Sequence, residues 1–440
     1  MACSEMLVAE DTSEGGCALV GQGHLIETRV LIAVVVAFLI AVVVVGCGGG
    51  GPGNVEGRDG EQGAAATNEE TSAPKGDRTA TETTQEEALG LDVKVVAPGK
   101  AYVLAGFGEG SLWATEEVPC PDTGSATGSV SGSASASAPA DCALPSNTLL
   151  TRLNPRTGEE AATIRLEGFS TNITEVAVGA GSAWVSSGDY YPGPAGRRDP
   201  GDVVLRVDPQ TNRVVDRIPV DPPTGLAFGH GSVWVTSAGY GTVSRIDPET
   251  GEVTAKIDVG RGAVDIAADE RSGAVWVAGL YLPKDYGGRD NPKYSKDRNL
   301  TRVDPTTNRV VAEILIEAGS PDGGASSVAV GEGAVWVQSV AGRLYDGRLL
   351  KVDPATNEVA AMGSLGGYPS ALAVYGDAVW ATVQSSASPG TRLVRVDPRT
   401  EQVVASEDIG PNSRVGYGRL VAGGGYIWFA SGGGLARVAP

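Results

Sequence analysis

Short apolar runs recur along the chain from residue 91 onward, and glycine, proline and asparagine residues separate them. In the clearest copy the runs cover residues 327–330, 334–339, 348–352 and 358–365. Alternation with a period of two, or a short apolar run between turn residues, predicts a β-strand, and no 3.6-residue helical period is visible. Each copy therefore predicts four antiparallel strands, which we name A, B, C and D in chain order.

One tryptophan stands at the same place in strand B of every copy, and these residues account for all seven tryptophans of the chain. Such a repeat predicts packing between neighbouring sheets, because a stacking platform for a cofactor would not need seven rings. The tryptophans are Trp113, Trp184, Trp234, Trp276, Trp336, Trp380 and Trp428. A mostly small residue precedes each on strand A and indicates crowding near an axis: Gly106, Ala177, Ala227, Ala267, Ala329, Ala373 and Val421.

Seven four-stranded copies predict an all-β fold, a seven-bladed β-propeller. The last copy stops at Pro440 after strand C, and residues 91–99 match its missing strand D. Pairing this N-terminal strand into the last blade would close the ring and remove exposed sheet edges. We expect a membrane-targeting segment over residues 1–46, a disordered tether over 47–90 and the propeller over 91–440.

A motif of the form DPxTN joins strands C and D in most copies, as at residues 304–308. These residue types could form a metal site or a turn. Metal ligands must converge from several directions, whereas an aspartate can cap its own turn and proline presets φ. We interpret the motif as a hairpin turn whose last residue is left-handed. Gly158, Asn212, Gly251, Asn308 and Asn357 hold that position, and Glu401 holds it with slight strain.

Composition agrees with a fold of short strands, and the net charge argues against one class of partner. The chain has 440 residues, 63 of them glycine, and a net charge of −19. Abundant glycine with few phenylalanines is typical of many short strands and turns. Because an acidic body repels a phosphate backbone, we expect no nucleic-acid partner.

Residues 30–45 form an unbroken apolar run, and Cys47 follows after a small residue. This arrangement resembles the bacterial lipobox, which implies cleavage before Cys47 and lipidation of that cysteine. The alternative is a single retained membrane helix, for which the run is short. The only base before the run is Arg29, where a signal would carry a positive segment; a translation start near Val20 or Leu25 would account for this. Either anchor places the propeller at the cell membrane, outside the cytoplasm.

Two further cysteines fit that compartment. Cys120 and Cys142 bracket a loop rich in serine, glycine and alanine that has too few large apolar residues to pack a core. We expect a disulfide between them, since an oxidising compartment permits it and a bridge limits the entropy of the loop. Two free buried thiols are the alternative.

Irregular insertions fall in the B–C and D–A connections, which lie at one end of a propeller. Insertions gathered on one face of a repeat protein commonly mark its binding face. Nine of the twelve tyrosines lie in these connections, interleaved with basic residues, a composition typical of recognition surfaces. Alternatively, these side chains only decorate solvated loops. The predicted ligand-binding residues here are Tyr190, Tyr191, Arg197, Arg198, Tyr240, Tyr286 and Tyr294.

A second candidate site lies at the channel mouth, two residues before the small position on strand A. Glu175, Asp265 and Arg419 stand there, with Gly225 and Ser327 in two other copies. Two acids and an arginine could hold a small polar ligand or a cation. They could equally form hydrogen bonds between adjacent blades, and this second interpretation is favoured.

The blade pattern is similar to that of the bacterial YVTN-type and virginiamycin B lyase-like propellers, whose blades carry "VDPxTNxVxxxIxVG" and "GxGxVWV" motifs. The resemblance covers residues 91–440 and implies the fold more strongly than any activity. In the lyase group it implies histidines and a divalent metal at one end of the channel. Here the propeller holds one histidine, His230, in a strand A–B turn, so the lyase chemistry is not expected.

We therefore expect a non-catalytic, membrane-anchored propeller that binds an envelope protein or a small ligand and needs no cofactor. The alternative is a metal-dependent lyase or hydrolase that uses Glu175 and Asp265 in the channel. No nucleophile elbow, Cys–His pair or zinc-ligand spacing supports the enzyme.

Overall fold

The computed structural model describes residues 91–98, 102–117, 148–166, 173–188, 201–260, 262–280, 299–316, 324–341, 346–365, 367–384, 390–410, 419–431 and 434–440. Within these ranges every regular element is a β-strand, and the strands form seven four-stranded antiparallel sheets. The predicted all-β fold with seven blades is confirmed.

The first strand along the chain is β1 (Val93–Pro98), which belongs to the last blade. Blades 1 to 4 follow it in chain order, each with strands A to D. Blade 1 has β2 (Tyr102–Gly108), β3 (Ser111–Glu117), β4 (Thr148–Leu153) and β5 (Glu160–Leu166). Blade 2 has β6 (Ile173–Gly179), β7 (Ser182–Ser187), β8 (Val203–Asp208) and β9 (Arg213–Pro219). Blade 3 has β10 (Gly225–Gly229), β11 (Ser232–Ser237), β12 (Thr242–Ile246) and β13 (Val253–Asp258). Blade 4 has β14 (Ala263–Asp269), β15 (Ala274–Gly279), β16 (Asn299–Asp304) and β17 (Arg309–Leu315).

Blades 5 to 7 complete the ring. Blade 5 has β18 (Gly324–Gly331), β19 (Ala334–Ala341), β20 (Asp346–Val352) and β21 (Val359–Ser364). Blade 6 has β22 (Tyr368–Tyr375), β23 (Ala378–Gln384), β24 (Thr391–Val396) and β25 (Val403–Asp408). Blade 7 has β26 (Val421–Gly423), β27 (Tyr426–Ser431) and β28 (Gly434–Val438), with β1 as its strand D.

Closure of the ring follows the predicted route. Strand β1 pairs antiparallel with β28, so that Val93 stands opposite Val438 and Pro98 opposite Gly434. The N-terminal strand of the propeller thus completes the blade that the C-terminal strands begin. This pairing covers the edge of β28 that would otherwise be exposed.

The strands A of neighbouring blades contact one another around the central channel, from β2 through β26 and back to β2. Their small residues sit where the blades approach most closely. A Cβ atom on Gly106 would lie 2.7 Å from the carbonyl oxygen of Val176 in blade 2. The predicted crowding near the axis is therefore present.

Each tryptophan is fully buried and stands opposite the small residue of its own blade, as Trp113 stands opposite Gly106. Trp113 packs in one core cluster with Val176 and Val185 of blade 2, which confirms the role between neighbouring blades. The glycines before the tryptophan also have a role. In four blades the indole Nε1 donates to a glycine carbonyl oxygen five residues earlier, at 3.1 Å for Gly179, 2.9 Å for Gly229, 3.1 Å for Gly331 and 3.0 Å for Gly423.

The six C–D motifs form the predicted turns. In blade 5 Asp353 Oδ1 accepts hydrogen bonds from the backbone N–H groups of Ala355 (2.7 Å) and Thr356 (3.0 Å), and the N–H of Asn357 returns to Asp353 O (2.8 Å). The bonds from the turn hold the pKa of this carboxyl below its usual value. Asn357 has φ of 63° and Glu401 has φ of 62°, so Glu401 occupies the left-handed region as expected.

A basic residue on strand C, which the sequence interpretation missed, ties each of five blades to the next blade around the ring. Its cationic group lies over the tryptophan of its own blade, as Arg245 lies 5.0 Å from the ring centroid of Trp234. Arg245 Nη1 then donates to Pro305 O (2.6 Å) and Asn308 Oδ1 (2.9 Å) in the C–D turn of blade 4. Four other residues donate to the C–D turn of the next blade in the same way: Arg152 to Asn212, Arg302 to Asn357, Lys351 to Pro398 and Arg437 to Pro155. We call these five residues, with Arg245 among them, the latch residues.

Candidate functional site

The two ends of the propeller differ. Because the strands are antiparallel, the A–B and C–D turns share one end, the turn face, and the B–C and D–A connections share the other, the loop face. Each strand A starts at the loop face and runs towards the turn face. Glu175 is the third residue of β6 and Asp265 the third of β14, and Arg419 precedes β26. These three residues therefore lie in the loop-face half of the channel.

The structure brings the three predicted channel residues together across the ring. Arg419 Nη2 donates to Glu175 Oε1 and to Asp265 Oδ1, the second bond measuring 2.6 Å. Glu175 and Asp265 are 5% and 4% exposed, whereas the side chain of Arg419 is 35% exposed. One guanidinium thus ties blade 7 to blades 2 and 4 while a third of its side chain stays exposed.

Further donors satisfy both carboxylates. Glu175 Oε2 accepts from the N–H of Leu226 in blade 3 (2.6 Å). Asp265 Oδ2 accepts from Ser327 Oγ (2.8 Å) and from the N–H of Val328 (3.0 Å), both in blade 5. The cluster therefore connects five of the seven blades. The bonds of Glu175 to blade 3 and of Asp265 to blade 5 join adjacent blades, as the favoured interpretation expected, whereas Arg419 reaches across the channel. The role of the three residues in binding a ligand stays a prediction.

Local irregularities of the strands aim these side chains. The pairing register shifts between Ile173 and Glu175 and again between Ala263 and Asp265. A third shift precedes Ser327. A bulge adds an unpaired residue and re-aims the side chains beside it, which turns the polar side chains of strand A towards the next blades.

Burial and the neighbouring charges shift the pKa values of Glu175 and Arg419. Loss of hydration raises the pKa of Glu175 to about 8; the charge of Asp265 adds to the rise, while Arg419 and the Leu226 N–H oppose it. Burial disfavours the charged form of Arg419, but the charges of Asp265 and Glu175 outweigh this and raise its pKa. Arg419 consequently stays charged, and Glu175 binds a proton more readily than an exposed glutamate does.

The divalent metal implied by the lyase resemblance does not fit these residues. The guanidinium of Arg419 stands between the two carboxylates that would have to bind the cation. His230 lies on the turn face, where its Nδ1 is 3.2 Å from Glu270 Oε2 and its Nε2 is 3.2 Å from Ala274 O. In the described part of the chain no three His, Cys, Asp or Glu residues are grouped as metal ligands.

One predicted loop-face residue, Tyr240, lies in a described region, in the connection between β11 and β12. The Lys256 Nζ sits 5.6 Å from the centroid of its ring, a cation–π distance. Lys256 in turn forms an ion pair with Asp221, a 3% exposed residue of the D–A connection, and Thr242 Oγ1 donates to Asp221 at 3.2 Å. Lys256 therefore contacts both the Tyr240 ring and the buried Asp221.

The remaining predicted residues fall outside the described ranges, and their roles stay predictions. They are the loop-face residues Tyr190, Tyr191, Arg197, Arg198, Tyr286 and Tyr294, and the cysteines Cys47, Cys120 and Cys142. The apolar run at residues 30–45 lies outside as well. Among the described residues there is no helix suited to crossing a membrane.

Comparisons with known proteins support the fold. No family model matches the sequence, and no curated protein matches it. Among solved structures, a streptogramin B lyase is similar, with a TM-score of 0.53 and 11% identity over 79% of this chain and 96% of its own. Hydrazine synthase of Kuenenia stuttgartiensis has a TM-score of 0.52 and 14% identity over 80% and 98%. BamB from Moraxella catarrhalis has 15% identity over 66% and 76%, and its TM-score of 0.42 is too low to support an argument. The fold expected from the lyase-like resemblance is thus confirmed. At 11% and 14% identity, the similarity is evidence for the fold and not for a function.

Proposed function

We propose that the chain is a non-catalytic binding propeller of the cell envelope that recognises a partner protein or ligand through its loop face. The observation that carries the proposal is the contrast between the two ends. The turn face is built from near-identical hairpin turns that the latch residues hold together. The loop face carries the irregular connections, and the aromatic ring of Tyr240 there lies 5.6 Å from the Lys256 ammonium group.

The channel cluster supports binding over catalysis. Glu175 and Asp265 each accept hydrogen bonds from Arg419 and from backbone N–H groups of other blades. A general acid must direct a proton at a substrate, and a metal ligand must direct a lone pair at the metal. The carboxyl oxygens of Glu175 and Asp265 instead accept hydrogen bonds from other blades of the propeller. We infer that the cluster holds the blades in place and that the loops above it make the contacts with the partner.

The test is a pull-down from a membrane extract with the full-length chain in detergent. A first variant carries Tyr190, Tyr191, Tyr286 and Tyr294 changed to alanine, and a second carries Tyr240→Ala. A matched control changes Thr157, Glu249, Glu332 and Arg399 of the turn face to alanine. A partner retained by the control and lost by the first variant supports the proposal. A partner lost only by the turn-face control, or none captured by any form, contradicts it.

We further propose that the propeller is anchored through lipid on Cys47, with a retained helix over residues 30–45 as the second form of anchor. Metabolic labelling with a radioactive fatty acid separates the two. Label that disappears in Cys47→Ser supports the lipid, whereas an unlabelled chain that stays in the membrane fraction supports the helix. Mass spectrometry with and without reductant tests the disulfide between Cys120 and Cys142.

A further inference from the structure

A cavity of about 420 Å³ opens on the turn face of blade 1, at the end opposite the loop face. Its walls come from the A–B turn, the end of β4, the C–D turn and β5. The lining residues are Gly110, Ser111, Arg152, Leu153, Asn154, Pro155, Arg156 and Ala161. The lining thus contains two arginines and no carboxylate.

Blade 6 provides an internal comparison because it carries the same two arginines. Arg152 and Arg395 each pair with the tryptophan of their own blade across strands B and C, and Arg156 and Arg399 each follow the turn proline, so the two pairs of arginines correspond. Blade 6 also has two acids beside them, Asp377 in the A–B turn and Asp397 in the C–D turn. The corresponding residues of blade 1 are Gly110 and Asn154. Blade 1 has therefore kept both positive charges of this site and lacks both negative ones.

In blade 6 Asp377 pairs with Arg395, and the backbone N–H of Arg399 and its charge are among the causes of the lowered pKa of Asp397. Arg395 Nη2 lies 2.8 Å from Asp377 Oδ1. In blade 1 the guanidinium of Arg156 makes no ion pair or hydrogen bond with another described residue. Arg152 uses its Nε for Ser111 Oγ (2.8 Å) and its Nη1 for Pro209 and Asn212, which leaves Nη2 without a partner among the described residues.

Asn154 stands where the other turns have a negatively charged aspartate, and it makes the same hydrogen bonds within the turn. Its Oδ1 accepts from the N–H groups of Arg156 (2.8 Å) and Thr157 (3.3 Å), as Asp397 Oδ1 accepts from Arg399 (2.7 Å) and Thr400 (3.3 Å). The difference is that the asparagine presents an amide donor where the aspartate presents a second acceptor oxygen. The five other C–D turns all begin with aspartate: Asp208, Asp247, Asp304, Asp353 and Asp397.

A third cation lies against the same turn. Arg437 of blade 7 donates from Nη1 to the carbonyl oxygens of Pro155 (2.8 Å) and Arg156 (2.9 Å). Two acids of the same turns do not line the cavity: Glu109 accepts from Gly181 N (3.2 Å) and Glu159 from Thr157 Oγ1 (3.2 Å). Three guanidinium groups thus lie at or beside this cavity on a protein whose net charge is −19.

We propose that this cavity is a binding site for a small oxyanion, a phosphate or a carboxylate group. Arg156 and the Nη2 group of Arg152 supply charged donors, and guanidinium groups match both anions in geometry. The Asn154 amide adds a neutral donor at the rim. The site is separate from the loop face, so its failure would leave the proposed function untouched.

Isothermal titration calorimetry of the full-length chain in detergent, at constant ionic strength, tests the site with inorganic phosphate and with succinate as probes. Asn154→Asp restores the aspartate that the five other turns carry, so the variant is expected to fold. It should weaken binding about ten-fold or more, because it adds a negative charge within a few ångströms of the anion. Arg156→Gln should also weaken binding, whereas Arg399→Gln in blade 6 should leave it unchanged.

Two probes separate the chemical classes. Saturable binding of phosphate alone assigns a phosphoryl ligand, and binding of succinate alone assigns a carboxylate. The proposal is overturned if neither probe binds saturably, or if Asn154→Asp binds as tightly as the native chain. Equal losses in Arg156→Gln and Arg399→Gln would also overturn it, since they would indicate general attraction to surface cations.

Discussion

Arg437 Nη1 donates a hydrogen bond to the carbonyl oxygen of Pro155 at 2.8 Å, joining the last blade of the ring to the first. The two residues are 282 positions apart in the sequence. The guanidinium also lies 5.4 Å from the ring centroid of Trp428 and 3.9 Å from that of Tyr426. Side-chain contacts therefore close the ring on the turn face, in addition to the pairing of β1 with β28.

We expect Arg437→Met to lower the free energy of unfolding by about 2–3 kcal/mol. The change leaves the carbonyl oxygens of Pro155 and Arg156 without a charged donor and removes two cation–π contacts. Urea denaturation followed by tryptophan fluorescence measures the effect. Arg213→Met, at an exposed position of β9, is the matched control and should stay within about 0.5 kcal/mol of the native chain. Equal effects of the two changes would show that Arg437 does not stabilise the closure.

The sequence predicted the blades well because one repeating pattern specifies them many times. The period of two, the tryptophan of strand B and the turn of six C–D connections each recur, so an ambiguity in one copy is resolved by the others. In blade 5 the predicted strand over residues 334–339 corresponds to β19, which runs two residues further. The ends of strands are set by tertiary contacts, and these leave a weaker trace in the pattern.

The latch residues show a signal that was present and overlooked. Strand C carries a basic residue two positions before the turn's Asp or Asn in six blades, and Arg437 has the same place in the seventh. A charge on an alternating strand is usually read as solvent-facing, but its long stem lets it reach the next blade. For the channel cluster the sequence predicted the residues but not their contacts. Its members were identified from their position on strand A, while their pairing depends on bulges that the sequence does not reveal.

Arg419→Met should cost about 3–5 kcal/mol, because the change leaves Asp265 as a buried carboxylate without a counter-charge and removes the donor to Glu175 Oε1. A triple variant that also carries Glu175→Gln and Asp265→Asn should recover most of this loss. Chemical denaturation of both proteins at neutral pH measures the difference. If the triple variant is no more stable than Arg419→Met, the cost comes from lost packing and not from unpaired charge.

Gly106→Ala should destabilise the propeller by about 1–3 kcal/mol. The added Cβ would lie 2.7 Å from Val176 O, and neither backbone can move without shifting a blade. Gly390→Ala provides the control, since its Cβ would meet no atom within 4 Å. Melting temperatures of the two variants make the comparison. A Gly106 variant as stable as the control would mean that the inner ring is less tightly packed than the structure indicates.

Glu401→Asn should stabilise the blade 6 turn by roughly 0.5–1 kcal/mol. Glu401 has φ of 62°, a conformation that asparagine adopts more readily than glutamate. Its 3.8 Å contact with Lys351 is partly exposed and contributes little. Glu249→Asn makes the same chemical change at an exposed turn position outside the left-handed region and should have almost no effect. A loss of stability in Glu401→Asn would mean that the Lys351 contact stabilises the turn by more than the left-handed backbone at Glu401 destabilises it.

The stability of the propeller should fall as pH rises from about 4.5 to 8. Burial raises the pKa of Glu175 to about 8 from an ordinary value of 4.5, so the native state binds a proton across this interval that the unfolded state releases. A native state that holds more protons loses stability as pH increases. Glu175→Gln cannot titrate, and its unfolding free energy should decline less over the same interval, by a difference on the order of a few kcal/mol. Parallel pH profiles of the two proteins, measured by urea denaturation, would show that Arg419 keeps Glu175 ionised in the fold, and the direction assigned to its pKa would then be wrong.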